Sequence, residues 1–200
     1  MKKTMLLGMC LLLGSAAAYA QESRQDLSIS GVEPISVDVY GNGVKPMHTS
    51  LTTGVLASYR YMVTPRSALE LNYGFAQNTI RYNTVSLPTG QVHSRMQEVT
   101  AAYVYSRTYH NWNPFVEVGV GGLIFTPILD NGTLQLDAKQ NTRISGLAGV
   151  GVAYELSPSW DIRAEYRGFV TKAPDFSKTE FKANRYYWIS EPTIGFAYHF

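Results

Sequence analysis

The chain has 200 residues, with seventeen Lys and Arg against fifteen Asp and Glu, and a single Cys. Lys2 and Lys3 are the only charges among the first twenty residues, and Cys10 lies there too, so without that segment fifteen basic residues face fifteen acidic ones. That balance withdraws the charge argument for a nucleic-acid partner, and the loss of Cys10 excludes a disulfide or a thiolate metal site.

Residues 1–20 have the form of a secretory leader. Lys2 and Lys3 form the basic end, Met5 to Leu13 the apolar core, and Ala18-Tyr19-Ala20 a small-x-small site, so cleavage is expected between Ala20 and Gln21. The core is too short to span a bilayer as a helix. Met9 stands where a lipobox needs a small residue, so Cys10 is read as an ordinary leader residue. Residues 21–200 are expected to form one domain.

No stretch of residues 21–200 sustains an apolar stripe at helical spacing. Apolar and polar residues alternate instead, which is the mark of half-buried strands. A weak first strand lies within Asp26 to Val37, with Leu27, Ile29 and Gly31 in phase and Pro34 blurring its end. From Thr49 to Val63, Leu51, Thr53, Val55, Ala57, Tyr59, Tyr61 and Val63 oppose Thr52, Gly54, Ser58 and Arg60. Leu69, Leu71, Tyr73 and Phe75 oppose Glu70, Asn72 and Gly74; Val99, Ala101, Tyr103 and Tyr105 oppose Glu98, Thr100, Ala102 and Ser106. Val116, Val118, Val120 and Ile124 oppose Glu117, Gly119 and Gly121. Ile144, Ala148, Val150, Val152 and Tyr154 oppose Arg143, Ser145, Gly149, Gly151 and Glu155. Ile162, Ala164, Tyr166 and Val170 oppose Asp161, Arg163, Glu165 and Arg167, and Ile194, Phe196, Tyr198 and Phe200 oppose Thr193, Gly195, Ala197 and His199.

These eight strands are joined by connections of alternating length. Short ones are expected at Thr64–Ser67, His110–Pro114 and Ser157–Trp160; long ones cover Asp38–His48, Asn83–Ser94, Pro127–Thr142 and Ala173–Tyr186. Tyr61, Leu69 and Tyr73 keep the same offsets from Pro65 that Tyr154, Ile162 and Tyr166 keep from Pro158, so two hairpins follow one plan. Three short turns and four long loops suit an eight-stranded antiparallel up-and-down transmembrane β-barrel, turns in the periplasm and loops outside the cell.

A soluble barrel would turn its apolar face inward. Here that face carries Tyr59, Tyr61, Tyr73, Phe75, Tyr103, Tyr105, Tyr154, Tyr166, Phe196, Tyr198 and Phe200, more volume than an eight-stranded lumen holds. Tyr61, Tyr105, Tyr109, Trp112, Tyr154, Trp160 and Phe200 also cluster beside short turns or the terminus, where rings settle at a lipid–water interface.

With its leader, eight strands and closing Phe200, the chain resembles the small outer-membrane barrel superfamily of the OmpA transmembrane domain and OmpX. The resemblance implies a Gram-negative outer membrane, lipid and lipopolysaccharide around the barrel, and a monomer. It implies that Phe200 is an assembly signal read by the barrel-assembly machinery, with periplasmic chaperones attending biogenesis. OmpA-type chains continue into a peptidoglycan-binding domain; nothing follows Phe200 here, so that tethering role is not implied.

The inward face collects Arg60, Glu70, Glu98, Glu117, Glu155, Asp161, Arg163, Glu165 and Arg167, and charges in a narrow lumen are expected to pair. The pairing predicted is between Arg60 or Arg163 and a carboxylate among Glu70, Glu117, Glu155 and Glu165. Such a network plugs the lumen; the rival reading is a polar path through it. Gly119, Gly121, Gly149 and Gly151 either make room for Arg163 and Arg167 or leave a thin water-filled channel.

Catalysis is not expected. His48, His93, His110 and His199 are scattered between the two barrel ends, and His199 with Glu155 is the least unfavourable acid/base pair. No His/Asp/Glu spacing fits a metal set, so neither metal nor cofactor is expected. Asn131-Gly132 is a turn signal, and Lys172, Lys178 and Lys182 flank the last loop, either solvated or against lipopolysaccharide phosphates. The reading is a structural or surface-interaction barrel with a side-chain-filled lumen, its loops open to an extracellular partner. A narrow channel for small solutes is the alternative, and a lipid-modifying enzyme stands third.

Overall fold

The computed structural model describes residues 24–36, 39–41, 44–49, 53–84, 90–128, 139–175 and 185–200. The leader with its Ala20–Gln21 junction, Asn131-Gly132, Lys178 and Lys182 lie outside them. In chain order the strands are β1 (Gln25–Val32), β2 (Ile35–Ser36), β3 (Val39–Gly41), β4 (Val44–Thr49), β5 (Gly54–Thr64), β6 (Ser67–Thr84), β7 (Gly90–Ser106), β8 (Trp112–Pro127), β9 (Asn141–Ser157), β10 (Trp160–Lys172) and β11 (Tyr186–His199). Eight of them, β1 and β5 to β11, are the staves of a closed barrel. Each pairs antiparallel with its neighbours, and β1 pairs with both β5 and β11, from Asp26↔His199 to Val32↔Thr193, to close the ring. Closure satisfies every stave edge, the condition for strands that cross lipid.

The side-chain phases are those of the alternation. Leu69, Leu71 and Tyr73 are exposed, while Glu70, Asn72 and Gly74 between them are buried; Val116 and Val118 are exposed around buried Glu117. A one-residue slip would have exchanged every face.

The connections differ from expectation at three places. Residues 39–41 and 44–48, expected as loop, lie in strands β3 and β4, and Thr49, expected to open the next strand, ends β4, which is laid against β6. The second loop shrinks, because β6 and β7 stay paired as far as Tyr82↔Gly90. Beyond the bilayer both faces meet water, so the apolar alternation fades although the ladder continues. The 18 residues of β6 run roughly 60 Å at about 3.3 Å each, or roughly 45 Å along the axis at ~40° tilt. That exceeds a hydrocarbon layer of about 30 Å, so the wall projects past it. Third, Asn113 and Pro114 belong to β8, and the turn before it is His110-Asn111, held by reciprocal Tyr109–Trp112 backbone bonds of 2.8 and 2.9 Å. His110 has φ 54°, a left-handed position that His tolerates better than most residues.

Proline shapes the closing seam. Pro192 lies within β11 and has no N–H to donate, and β1 ends at Val32↔Thr193, one position short of it. Pairing on that flank resumes at Ser190↔Ile35, after Glu33-Pro34.

Candidate functional site: the barrel lumen

The lumen is built in layers, because each stave contributes one inward residue in two. On β10 the inward series from the short-turn end is Asp161, Arg163, Glu165, Arg167, Phe169 and Thr171; on β11 it is His199, Ala197, Gly195, Thr193, Glu191, Ile189 and Tyr187. Both change from polar to apolar at the same depth.

The polar layer is organised by three arginines. Arg60 and Glu70 are directly opposite on β5 and β6, a register reached through the one-residue shift between Met62 and Thr64 next to the Pro65-Arg66 turn, and Arg60 Nε donates to Glu70 Oε2 at 2.6 Å. Arg163 Nη2 donates to Asp26 Oδ2 at 3.1 Å, and the same guanidinium lies 4.0 Å from Glu70 and 3.8 Å from Glu165. Arg167 reaches across the lumen. Its two terminal nitrogens meet both oxygens of Glu98 at 2.6 and 3.1 Å, Nη1 also donates to Glu191 at 2.8 Å, and Nε donates to Glu117 at 3.3 Å. One side chain of β10 thereby joins β7, β8 and β11. Thr193 Oγ1 donates to Glu165 at 3.5 Å, and Thr100 Oγ1 to Glu98 at 2.6 Å. The inward ring of Phe115 lies 4.7 Å from the Arg60 guanidinium and 5.9 Å from that of Arg163.

Asp26 and Glu191 were missing from the residues expected in the network, although both are in phase. Asp26 lies opposite Arg60 and Glu191 opposite Arg167; reading β11 only from Thr193 hid the second. Glu155 and Asp161 lie instead at the short-turn mouth. Asp161 takes His199 as its partner, Nε2 to Oδ2 at 2.9 Å, so the His199–Glu155 pair read from the sequence is replaced by His199–Asp161. With Arg60, Arg163, Phe115 and Asn113 they wall a cavity of about 320 Å³.

At the inward glycines on β9 the nearest side chains come from β8. A Cβ on Gly149 would strike Glu117 and one on Gly151 would strike Phe115, so side chains from β8 occupy that space.

Above the arginines lies a layer that sequence reasoning missed. Leu56, Leu123, Phe125, Leu147, Phe169 and Ile189 all point inward and are at most 2 % exposed. Parity was the available signal, since Leu123 and Phe125 continue the inward series of Glu117, Gly119 and Gly121. Beyond this layer Arg143 pairs with Asp175 at 2.8 Å, and Asn141 donates to the same carboxylate at 2.8 Å.

A family model described as the outer membrane protein beta-barrel domain matches residues 7–200. The chain belongs to the outer membrane protein β-barrel family. Among solved structures the barrel is similar to OprG of Pseudomonas aeruginosa, at 13 % identity and TM-score 0.64, covering 90 % of this chain and 97 % of that one. It is similar to Neisserial surface protein A at 14 % identity and TM-score 0.60, over 89 % and 98 % of the two chains. Ail, the attachment invasion locus protein of Yersinia pestis, solved with the heparin analogue sucrose octasulfate, aligns at 17 % identity and TM-score 0.56, over 90 % and 100 %. No curated protein matches the sequence. The protein is thus a barrel of the Gram-negative outer membrane, among lipids. Its outward ring of Val99, Val118, Val150 and Ile194 meets hydrocarbon, and Tyr105, Tyr109, Trp112 and Trp160 sit at the periplasmic interface.

Proposed function

We propose that the protein is a sealed structural barrel that presents its loops at the cell surface. The observation that carries this reading is the pair of stacked lumen layers, ion pairs below and Leu56, Leu123, Phe125, Leu147, Phe169 and Ile189 above, with no member more than 7 % exposed. An apolar constriction excludes water, and ions do not cross a dry one. The projecting wall of β6 and β7 lifts the loops away from the bilayer, and Ail's complex with a heparin analogue supports a surface-interaction role for a barrel of this shape. We assign no catalytic role: His199 is engaged by Asp161, and among the described residues no serine side chain is bonded to that pair. Phe200 keeps its proposed role as an assembly signal, its N–H donating to Gln25 O at 3.0 Å on the far side of the seam.

Single-channel recording of the purified protein in planar bilayers tests the seal. No unit conductance is expected; steady unit openings would replace this reading with a narrow channel. One observation favours that second reading. Six buried carboxylates, Asp26, Glu70, Glu98, Glu117, Glu165 and Glu191, face three guanidiniums, so any current would be carried by cations.

A further inference from the structure

The periplasmic mouth carries chemistry that the seal does not use. The cavity of about 320 Å³ there falls at the lower end of the range for small-molecule sites, ~300–1,000 Å³. Its two guanidiniums are already engaged, Arg60 by Glu70 and Arg163 by Asp26. Glu155 and Asp161 stand directly opposite each other on β9 and β10, both on its wall, and like charges so placed repel. His199 engages Asp161, whereas Glu155 has no ion-pair partner among the described residues. Deeper in, Asp26 is 1 % exposed and binds Arg163 through Oδ2, leaving Oδ1 with no hydrogen-bond partner among those residues. Arg24, Arg66 and Arg107 are exposed at the same end but are not among the cavity walls.

The open space is therefore walled by three carboxylates, Asp26, Glu155 and Asp161, against two guanidiniums that are already paired. Met62, Phe115 and Pro158 supply an apolar side to it. Among the described residues no trio of His, Cys, Asp and Glu has the geometry to hold a metal ion, whereas an organic cation needs no such set. An ammonium offers up to three N–H donors and a charge, and an attached alkyl chain would cover the apolar wall.

We propose that this vestibule binds a small alkylammonium compound from the periplasm, with its ammonium between Glu155 and Asp161, drawn also by the buried carboxylate of Asp26 beneath, and its alkyl chain against Met62 and Phe115.

Titration calorimetry of the full-length protein in detergent micelles, with n-butylammonium as probe, tests the site. Saturable one-to-one binding is expected, with no response to butanol or butyrate. Glu155→Gln and Asp161→Asn should each weaken binding at least about tenfold, while Asp175→Asn at the opposite end leaves it unchanged. Heat-modifiable gel migration checks that each variant is folded. Should Asp161→Asn not fold, Glu155→Gln still decides, since it removes no ion pair. The proposal is overturned if the folded protein gives no saturable heat or if Glu155→Gln binds as the parent does. Competition by sodium at equal concentration also overturns it, because that would reveal diffuse attraction without a site.

Discussion

Arg60 and Glu70 show what a buried ion pair does for a single position. Both are almost fully buried, 3 % and 1 % exposed, and the pair lies beside Phe115. Such a pair adds little net stability over an apolar substitute, yet removing one member strands the other charge. Arg60→Ala should therefore cost about 3–5 kcal/mol in urea unfolding from micelles. The double variant Arg60→Ala/Glu70→Ala should recover a large part of that loss, because no carboxylate is then left unpaired. A small loss from the single variant, with no recovery in the double, would show that the site is wet. Arg163 stays 4.0 Å from Glu70, so it offers the orphaned carboxylate partial compensation and puts the single variant toward the lower end of the range.

For a strand, what matters is which face meets lipid. Val118 on β8 is 61 % exposed and sits amid the outward series Val116, Val118 and Val120, with inward Glu117 and Gly119 on either side. Val118→Arg should cost about 2–4 kcal/mol, the penalty for a cation near the bilayer midplane. Folding measured in lipid vesicles checks this, and an unchanged stability would mean that β8 is out of phase. The register behind this phase comes from short-range chemistry. A two-residue connection leaves few ways to align its strands: Pro65-Arg66 pairs Thr64 with Ser67, and the one-residue register shift between Met62 and Thr64 then sets Tyr61 against Leu69 and Arg60 against Glu70. At the His110-Asn111 turn the same function falls to a non-glycine residue held at positive φ.

Across the whole molecule, closure of the ring joins the ends of the chain. Phe200 N–H donates to Gln25 O, His199 N–H donates to Ser159 O, and the ring of Phe200 stacks on Tyr198 at 6.2 Å. These are few contacts at the rim of a large barrel, so a recognition role for Phe200 makes a kinetic prediction. Deleting Phe200 should slow the appearance of the heat-modifiable form in cells several-fold, while the urea midpoint of protein already folded changes little. Equal losses in both measurements would mean that the residue is structural.

What residues 24–200 determine on their own is the set of relations carried by neighbours in sequence. Period-two alternation specifies two faces, and short turns specify the alignment of the strands they join. Hence the eight staves, the lipid-facing aromatics and the nearness of Arg60 and Glu70 in level were legible without coordinates, while their exact apposition needed the register shift between Met62 and Thr64. The tertiary structure alone decided the relations across the lumen: Arg167 with Glu98, Glu117 and Glu191, Arg163 with Asp26, and His199 with Asp161 rather than Glu155. These depend on strand tilt and on the stagger accumulated around the closed ring, which no single hairpin encodes. The apolar layer is of the same kind. Leu56, Leu123, Phe125, Leu147, Phe169 and Ile189 could each be placed inward by parity, but only closure brings residues from five staves into one lumen.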